Sequence, residues 1–129
     1  MSIHRYAAAQ NAAASPREVE IRAFRYVNGL MAGATDFPQR VAALHKVSQL
    51  WAILVGDLTL DSNALPAELK ARLISLGLWA QREAAARMAD EGSLAPLIAL
   101  HRDMIAGLEG QGAMPRPPAA SAAFQAAVA

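Results

Sequence analysis

The side chains that most often perform chemistry are scattered along this sequence rather than grouped. The three histidines are His4, His45 and His101, and none has a partner at the H-x-x-x-H spacing that lets a helix bind a metal ion. The chain has no cysteine, which excludes cysteine-based zinc sites, thiol nucleophiles and disulfides together. A structural or surface histidine is therefore favoured over a ligand at His45. We expect neither a metal ion nor another cofactor.

The remaining candidates for catalysis have simpler structural interpretations. Ser75 lies inside a helical pattern and lacks the strand-to-helix turn that exposes a nucleophilic serine. Asp57 and Asp61 could be imagined as a carboxylate pair, but a helix end and a turn are favoured, since nothing nearby in sequence suggests a raised pKa. The glycines form no phosphate-binding loop. The sequence thus predicts a protein that is not an enzyme.

Composition is typical of a folded single-domain protein. The chain has 129 residues, 54% of them hydrophobic, and a net charge of +1 from 12 Lys plus Arg against 11 Asp plus Glu. Nucleic-acid-binding proteins usually concentrate basic residues on one surface, and no dense basic run occurs here. No signal peptide is recognisable at the start, and the apolar stretch from Leu50 to Leu60 is interrupted by Gly56 and Asp57. We expect a cytoplasmic location.

The first two predicted helices begin at residues that are typical of helix N-termini. Ser15 is expected to cap the first helix, because Pro16 suits the first helical position and Glu18 completes a capping box. Asp36 is a plausible cap for the second helix. That helix is predicted to run to about Leu58 along a broad stripe of apolar residues at helical spacing.

Two further helices follow. The third is predicted to open at Leu65-Pro66, where the proline suits a first turn, and to end near Asp90-Glu91-Gly92, with Gly92 as its C-terminal cap. Ser93 is expected to cap the fourth, and Gly107 and Gly110 are expected to end its regular pattern. No period-2 strand pattern competes with this interpretation.

These elements predict an all-α fold, a small helical bundle of about four helices with flexible N- and C-terminal segments. Residues 1–14 form an alanine-rich arm that is either loose or the start of a helix. Residues 15–110 form the helical domain. Residues 111–129 form a flexible tail rich in proline and alanine, which we expect to be dispensable for folding.

Three residues of the apolar stripes are informative about packing. Trp51 and Trp79 lie within the stripes of the second and third helices, so both are expected to be substantially buried. Gly77 lies inside the third helix, where glycine costs up to about 1 kcal/mol relative to alanine. Close approach of another helix would explain it, and an internal neighbour is favoured over a bound partner.

An ordered set of motifs resembles one known family. It consists of Leu50-Trp51 through Asp57-Leu58, then Asn63-Ala64-Leu65-Pro66 with Glu68-Leu69, then Leu73-Ile74-Ser75-Leu76-Gly77-Leu78-Trp79. This set is similar to the FlaF family of flagellar biosynthesis regulators. The resemblance covers roughly residues 16 to 109. It leaves out the tail, and it leaves open whether the arm belongs to it. It implies a cytoplasmic regulator that is needed for flagellin synthesis or export and works opposite the flagellin translation regulator FlbT.

Three functions remain open from the sequence. The favoured one is direct binding of flagellin, as an export chaperone or adaptor. The others are regulation of flagellin messenger RNA, alone or through FlbT, and a structural helical oligomer. For the first, an apolar groove bordered by the third helix, with the fourth as its other wall, would accept an amphipathic segment. The candidate partner-binding residues are Trp51, Leu65, Pro66, Leu69, Leu76, Gly77, Trp79, Leu97, Met104 and Leu108.

Overall fold

The computed structural model describes residues 15–113, which form four α-helices. Their bounds are α1 (Pro16–Gly33), α2 (Phe37–Leu58), α3 (Ala67–Met88) and α4 (Ala95–Ala113). No strand occurs within this part of the chain, so the predicted all-α class is confirmed. The N-terminal arm, and the tail from residue 114 onward, lie outside the described residues, so the predictions made for them stay predictions.

The predicted caps of α1 and α2 are confirmed at the level of individual hydrogen bonds. The Ser15 hydroxyl accepts from the backbone N–H of Glu18 at 3.2 Å, and the Asp36 carboxylate accepts from that of Gln39 at 2.8 Å. Ser93 also accepts a backbone hydrogen bond, but from a residue only two positions ahead, at 3.1 Å. Side-chain acceptors thus satisfy N–H groups that have no partner within the first turn of a helix.

The predicted C-terminal cap of α3 is wrong, since the helix stops at Met88 with Ala89 as its C-cap and Gly92 does not adopt the left-handed conformation. Arg40 on α2 explains the difference. Its Nε donates to the carbonyl oxygen of Arg87 at 3.2 Å, and its Nη2 donates to that of Gly92 at 2.6 Å. A side chain from another helix therefore satisfies the Arg87 carbonyl in the last turn of α3 and also holds the following connection at Gly92.

The fourth helix is longer than its glycines suggested. It continues past Gly107 and Gly110 to Ala113. Each glycine costs about 1 kcal/mol within a helix, but tertiary contacts favour continuation here. Leu108 is buried in the core, and Glu109 forms an ion pair with Arg25 of α1 at 2.7 Å. The expectation that the regular pattern ends at these glycines is therefore wrong.

The helices run alternately up and down, as their short connections require. Along α1 and α4, Arg25 lies beside Glu109 whereas Asn28 lies beside Ile98, so the two helices are antiparallel. The most extensive packing is between α2 and α3 and between α1 and α4, while α3 and α4 touch only slightly. Because successive helices run in opposite directions, α1 and α3 begin at the end of the bundle where α2 and α4 finish.

The core is formed by side chains from all four helices. Its largest fully buried members are Trp51, Phe24, Leu44, Leu97, His101 and Val47. Trp51 is 1% exposed, which confirms its predicted burial, whereas Trp79 is only partly buried and packs against the edge of the core. The second tryptophan is therefore less enclosed than its position in the apolar stripe suggested.

Gly77 allows α2 and α3 to approach closely. A Cβ at this position would lie 2.5 Å from Cγ2 of Val55 and 3.0 Å from Cε3 of Trp51. The internal neighbour favoured by sequence reasoning is thus α2. No other explanation for the glycine is needed, because any side chain here would push against the indole ring or the valine.

Replacing Gly77 with alanine is expected to lower the free energy of unfolding by up to about 2 kcal/mol. Overpacking a core costs about 1–3 kcal/mol, and the better helix propensity of alanine returns about 1 kcal/mol. Gly29→Ala is the matched control, since this glycine lies inside α1 with nothing within 4 Å of an added Cβ. That variant should be stabilised. Urea unfolding followed by circular dichroism measures both, and equal changes would contradict the close-approach explanation.

Candidate functional site

Three side chains from different helices form a hydrogen-bonded chain at the centre of the bundle. The indole N–H of Trp51 donates to Nε2 of His101 at 2.9 Å, and Nδ1 of His101 lies 2.9 Å from the amide oxygen of Asn28. The Asn28 amide nitrogen in turn donates to the backbone carbonyl of Ile98 at 3.1 Å. The chain links α1, α2 and α4, and we call it the Trp51–His101–Asn28 network.

The network defines the protonation state of its histidine. Because the indole N–H can only donate, Nε2 of His101 must be the acceptor, which leaves the ring proton on Nδ1 to be donated to Asn28. Burial lowers the pKa of His101 to about 4, and its side chain is fully shielded from solvent. The neutral ring also packs against Phe24, with a centroid distance of 5.2 Å. This histidine is therefore a satisfied core residue.

An open pocket lies next to this network, at the end of the bundle where α1 and α3 begin. Its volume is about 340 Å³, at the small end of the range for ligand sites. The walls come from every helix and from the connection between α2 and α3. The lining residues are Glu20, Trp51, Leu54, Asp57, Leu58, Asn63, Ala64, Leu65, Leu73, Met104 and Leu108.

Two carboxylates edge this otherwise mainly apolar pocket. Burial, and secondarily the negative charge of Asp57, raise the pKa of Glu20. Asp57 is exposed and accepts a hydrogen bond from the Asn63 amide at 3.0 Å. The Asn63 amide oxygen accepts from the backbone N–H of Leu65 at 3.1 Å, which orders the connection that forms one wall. The pocket therefore offers apolar contact beside two acidic side chains, an arrangement that favours a cationic, amphipathic occupant.

The structure brings together some of the predicted partner-binding residues. Trp51, Leu65, Met104 and Leu108 line the pocket. Among the others, Pro66 is exposed and does not line the pocket. The rest have packing roles: Leu69, Leu76 and Leu97 are buried, Gly77 lies against α2, and Trp79 is partly buried against the core. The pocket also differs from the expected groove between α3 and α4, because α2 and the connection after it form much of its wall.

Sequence reasoning missed the acidic edge of the pocket. It considered Asp57 as a possible partner of Asp61, which is near in sequence. The carboxyl group whose pKa Asp57 raises belongs instead to Glu20 on another helix. A glutamate near the start of α1 has an ordinary interpretation as a helix-terminus residue. The Asn63-Ala64-Leu65 motif lies in the connection between α2 and α3, but its sequence did not indicate which helix this connection faces.

Within residues 15–113, no helix is both long enough and apolar enough to cross a membrane. The same part of the chain contains no cluster of three or more histidine or acidic side chains that could hold a metal ion.

Fold and site together define a small antiparallel four-helix protein with a closed polar network at its centre and an acidic-edged apolar pocket at one end. The profile of one family, described as flagellar protein FlaF, matches residues 2–108. The chain therefore belongs to the FlaF family and is a flagellar protein. The match includes most of the alanine-rich arm, which the sequence resemblance had left open. No significant match was found among curated proteins or among solved structures.

Proposed function

We propose that this protein acts in the cytoplasm as a non-catalytic regulator of flagellum biogenesis, binding flagellin as a chaperone or adaptor. The observation that carries the proposal is the pocket between the four helices, with its apolar walls and the carboxylates of Glu20 and Asp57. Family membership supports the flagellar context. Binding of flagellin and its chemical basis are our inference.

An amphipathic helical segment is the occupant that this pocket fits best. Such a segment presents apolar side chains at positions i, i+3, i+4 and i+7 and polar ones beside them. In the proposed complex one or two apolar anchors enter between Leu54, Leu65 and Leu108, and a lysine or arginine next to them faces Asp57. Covering the apolar face of unassembled flagellin in this way would prevent its premature self-association.

Two features of the lining suit a partner that has to be released later. Met104 forms part of the wall, and a thioether side chain adapts its shape to different anchors at little cost. Asp57 is exposed, so its contact with a partner is accessible to solvent. Such a contact raises the association rate more than it raises the affinity. Both features favour reversible binding over a permanent complex.

Replacing Asp57 with lysine is expected to weaken flagellin binding by on the order of tenfold, because it puts a like charge where the partner's basic residue should lie. Isothermal titration calorimetry of the full chain with monomeric flagellin measures the effect. Asp61→Lys is the matched control: it makes the same charge change four residues away, at an exposed position that does not line the pocket.

A second variant tests the apolar half of the pocket. Ala64→Phe places a ring at the wall without removing a buried side chain, since Ala64 is exposed. It should also weaken binding, while the thermal melt shows that the fold is retained. Unchanged affinity in both Asp57→Lys and Ala64→Phe would overturn the pocket as the flagellin site, and parallel titrations with FlbT would then show whether that protein is the partner instead.

A further inference from the structure

The pocket lies at the end of the bundle from which the N-terminal arm, residues 1–14, departs. Glu20, at its edge, is only five residues after Ser15, which corresponds to about 7.5 Å along α1. Ser15 has φ −72° and ψ 157°, and Pro16 follows it, so the helical backbone of α1 does not extend back through Ser15. The chain therefore turns at a point close to the pocket.

The chemistry of the arm complements that of the pocket. Residues 3–6 read Ile-His-Arg-Tyr, so that two apolar side chains flank a basic pair. The arm contains no acidic residue. Arg5 lies ten residues before Ser15, and an extended segment of this length spans up to about 33 Å. It can therefore reach back to Glu20 and Asp57 with chain to spare.

The C-terminal segment is a poorer occupant, although α4 finishes at the same end. Its one charged residue, Arg116, lies three residues after Ala113 and is flanked by prolines, which leaves little chain for a return to the pocket. Phe124 is far enough from the end of α4 to reach the pocket, but no basic residue is next to it. The family profile also begins at residue 2 and ends at residue 108, so it includes the arm and leaves out this segment.

We propose that residues 1–14 fold back within the same molecule and occupy the pocket, with Ile3 or Tyr6 against its apolar wall and Arg5 beside the carboxylates of Glu20 and Asp57. The arm is then an internal competitor for the site. Its effect on flagellin rests on the proposed function: flagellin binds only molecules whose arm has left the pocket, so its apparent affinity is reduced by the fraction of open molecules.

The docking itself is tested on the full chain without any partner. Because the protein has no cysteine, Ser2→Cys provides a single attachment point for a nitroxide spin label. Methyl NMR then reports which side chains lie near the label. We expect strong broadening of the methyl signals of Leu54, Leu65 and Leu108 in the pocket, and little change at Val41 and Leu94, which lie towards the opposite end of the bundle.

Two variants of the labelled chain test the charge argument. Arg5→Glu should abolish the selective broadening while far-ultraviolet circular dichroism shows that the helical fold is retained, because the substitution lies outside the four helices. Adding Asp57→Lys to Arg5→Glu should restore much of it by reversing both charges. Uniform broadening of all methyl groups, or selective broadening that survives Arg5→Glu, would overturn the proposal.

A mixing experiment separates docking within one molecule from docking between two. Spin-labelled chain without isotope enrichment is added to isotope-labelled chain without the spin label. Broadening of the pocket methyl groups in the second molecule, at the concentration of the first experiment, would mean that the arm binds a neighbouring copy and would overturn the intramolecular proposal. No broadening in the mixture supports it.

The two proposals fail separately. If the arm docks and flagellin does not bind even the Arg5→Glu chain, only the proposed function is wrong. If flagellin binds through the pocket and the labelled arm shows no preference for it, only the arm is wrong. When both hold, Arg5→Glu raises the affinity for flagellin by on the order of tenfold, because it releases the arm and leaves the pocket itself unchanged.

Discussion

Replacing Trp51 with phenylalanine is expected to lower the free energy of unfolding by about 3 kcal/mol. The smaller ring leaves part of the core unfilled, which costs about 1 kcal/mol or more. The indole N–H is also lost, so Nε2 of His101 becomes a buried acceptor without a donor, at a cost of about 1–3 kcal/mol. Urea unfolding followed by far-ultraviolet circular dichroism gives the change, and Trp79→Phe, at a partly buried site, should cost less than about 1 kcal/mol.

A double-mutant cycle assigns the loss to the hydrogen bond. The cycle combines Trp51→Phe with His101→Leu, which removes the acceptor and keeps an apolar side chain of comparable bulk. The double variant should be more stable than the sum of the single effects predicts, because no unsatisfied nitrogen remains. A coupling free energy below about 0.5 kcal/mol, or equal effects for the two tryptophans, would contradict a hydrogen-bonded role for the indole.

The second large effect is on the pH dependence of stability. The unfolded chain should bind a proton at His101 with a pKa near 6.5, whereas burial holds the folded pKa at about 4. Between these values the unfolded state binds more protons, so stability falls as the pH falls. The contribution of His101 is fully present above pH 6.5 and changes no further below about pH 4. The difference corresponds to about 3 kcal/mol.

The histidine contribution is isolated by comparison with His101→Gln. A glutamine carbonyl can accept from Trp51 and its amide can donate to Asn28, but the side chain does not titrate. The difference in unfolding free energy between the two proteins should therefore change by about 3 kcal/mol from pH 7 to pH 4. A parallel pH dependence in both proteins would show that His101 is not the group responsible.

Glu20 acts in the opposite direction in the same titration. Its pKa is raised in the folded state, chiefly by burial and further by Asp57, so the folded protein takes up this proton more readily than the unfolded chain does. Stability is gained as the pH falls through the folded pKa of Glu20 towards the ordinary value of 4.5. The wild-type curve is thus the sum of two opposed contributions, and Glu20→Gln should make acid destabilisation by His101 steeper.

The Trp51 ring belongs to both the core and the pocket. Its N–H takes part in the Trp51–His101–Asn28 network, while its ring lines the pocket beside Met104. The network therefore holds one wall of the pocket in place. Variants of Trp51 should change stability and binding together, and for this reason the tests of partner binding use exposed residues at the rim.

The sequence by itself determined the helices and several of their starts. Ser15 and Asp36 accept the capping hydrogen bonds that their positions predicted, because a cap involves only residues three positions apart. The glycine at position 77 correctly indicated a close internal approach. The glycines at 92 and 110 led to wrong predictions of a helix cap and a helix end. A local preference of about 1 kcal/mol is readily outweighed by tertiary contacts, such as those of Arg40 with the end of α3.

Only the tertiary structure decided which side chains meet across the bundle. His101 and Asn28 are 73 positions apart in the sequence. The pKa of Glu20 on α1 is raised in part by the charge of Asp57 on α2. Helical periodicity assigns a residue to a face, but it does not specify the offset along the axis at which two helices pack. That offset places His101 within hydrogen-bonding distance of both Trp51 and Asn28 inside the core. It also brings two carboxylates, one from α1 and one from α2, to the edge of a single pocket.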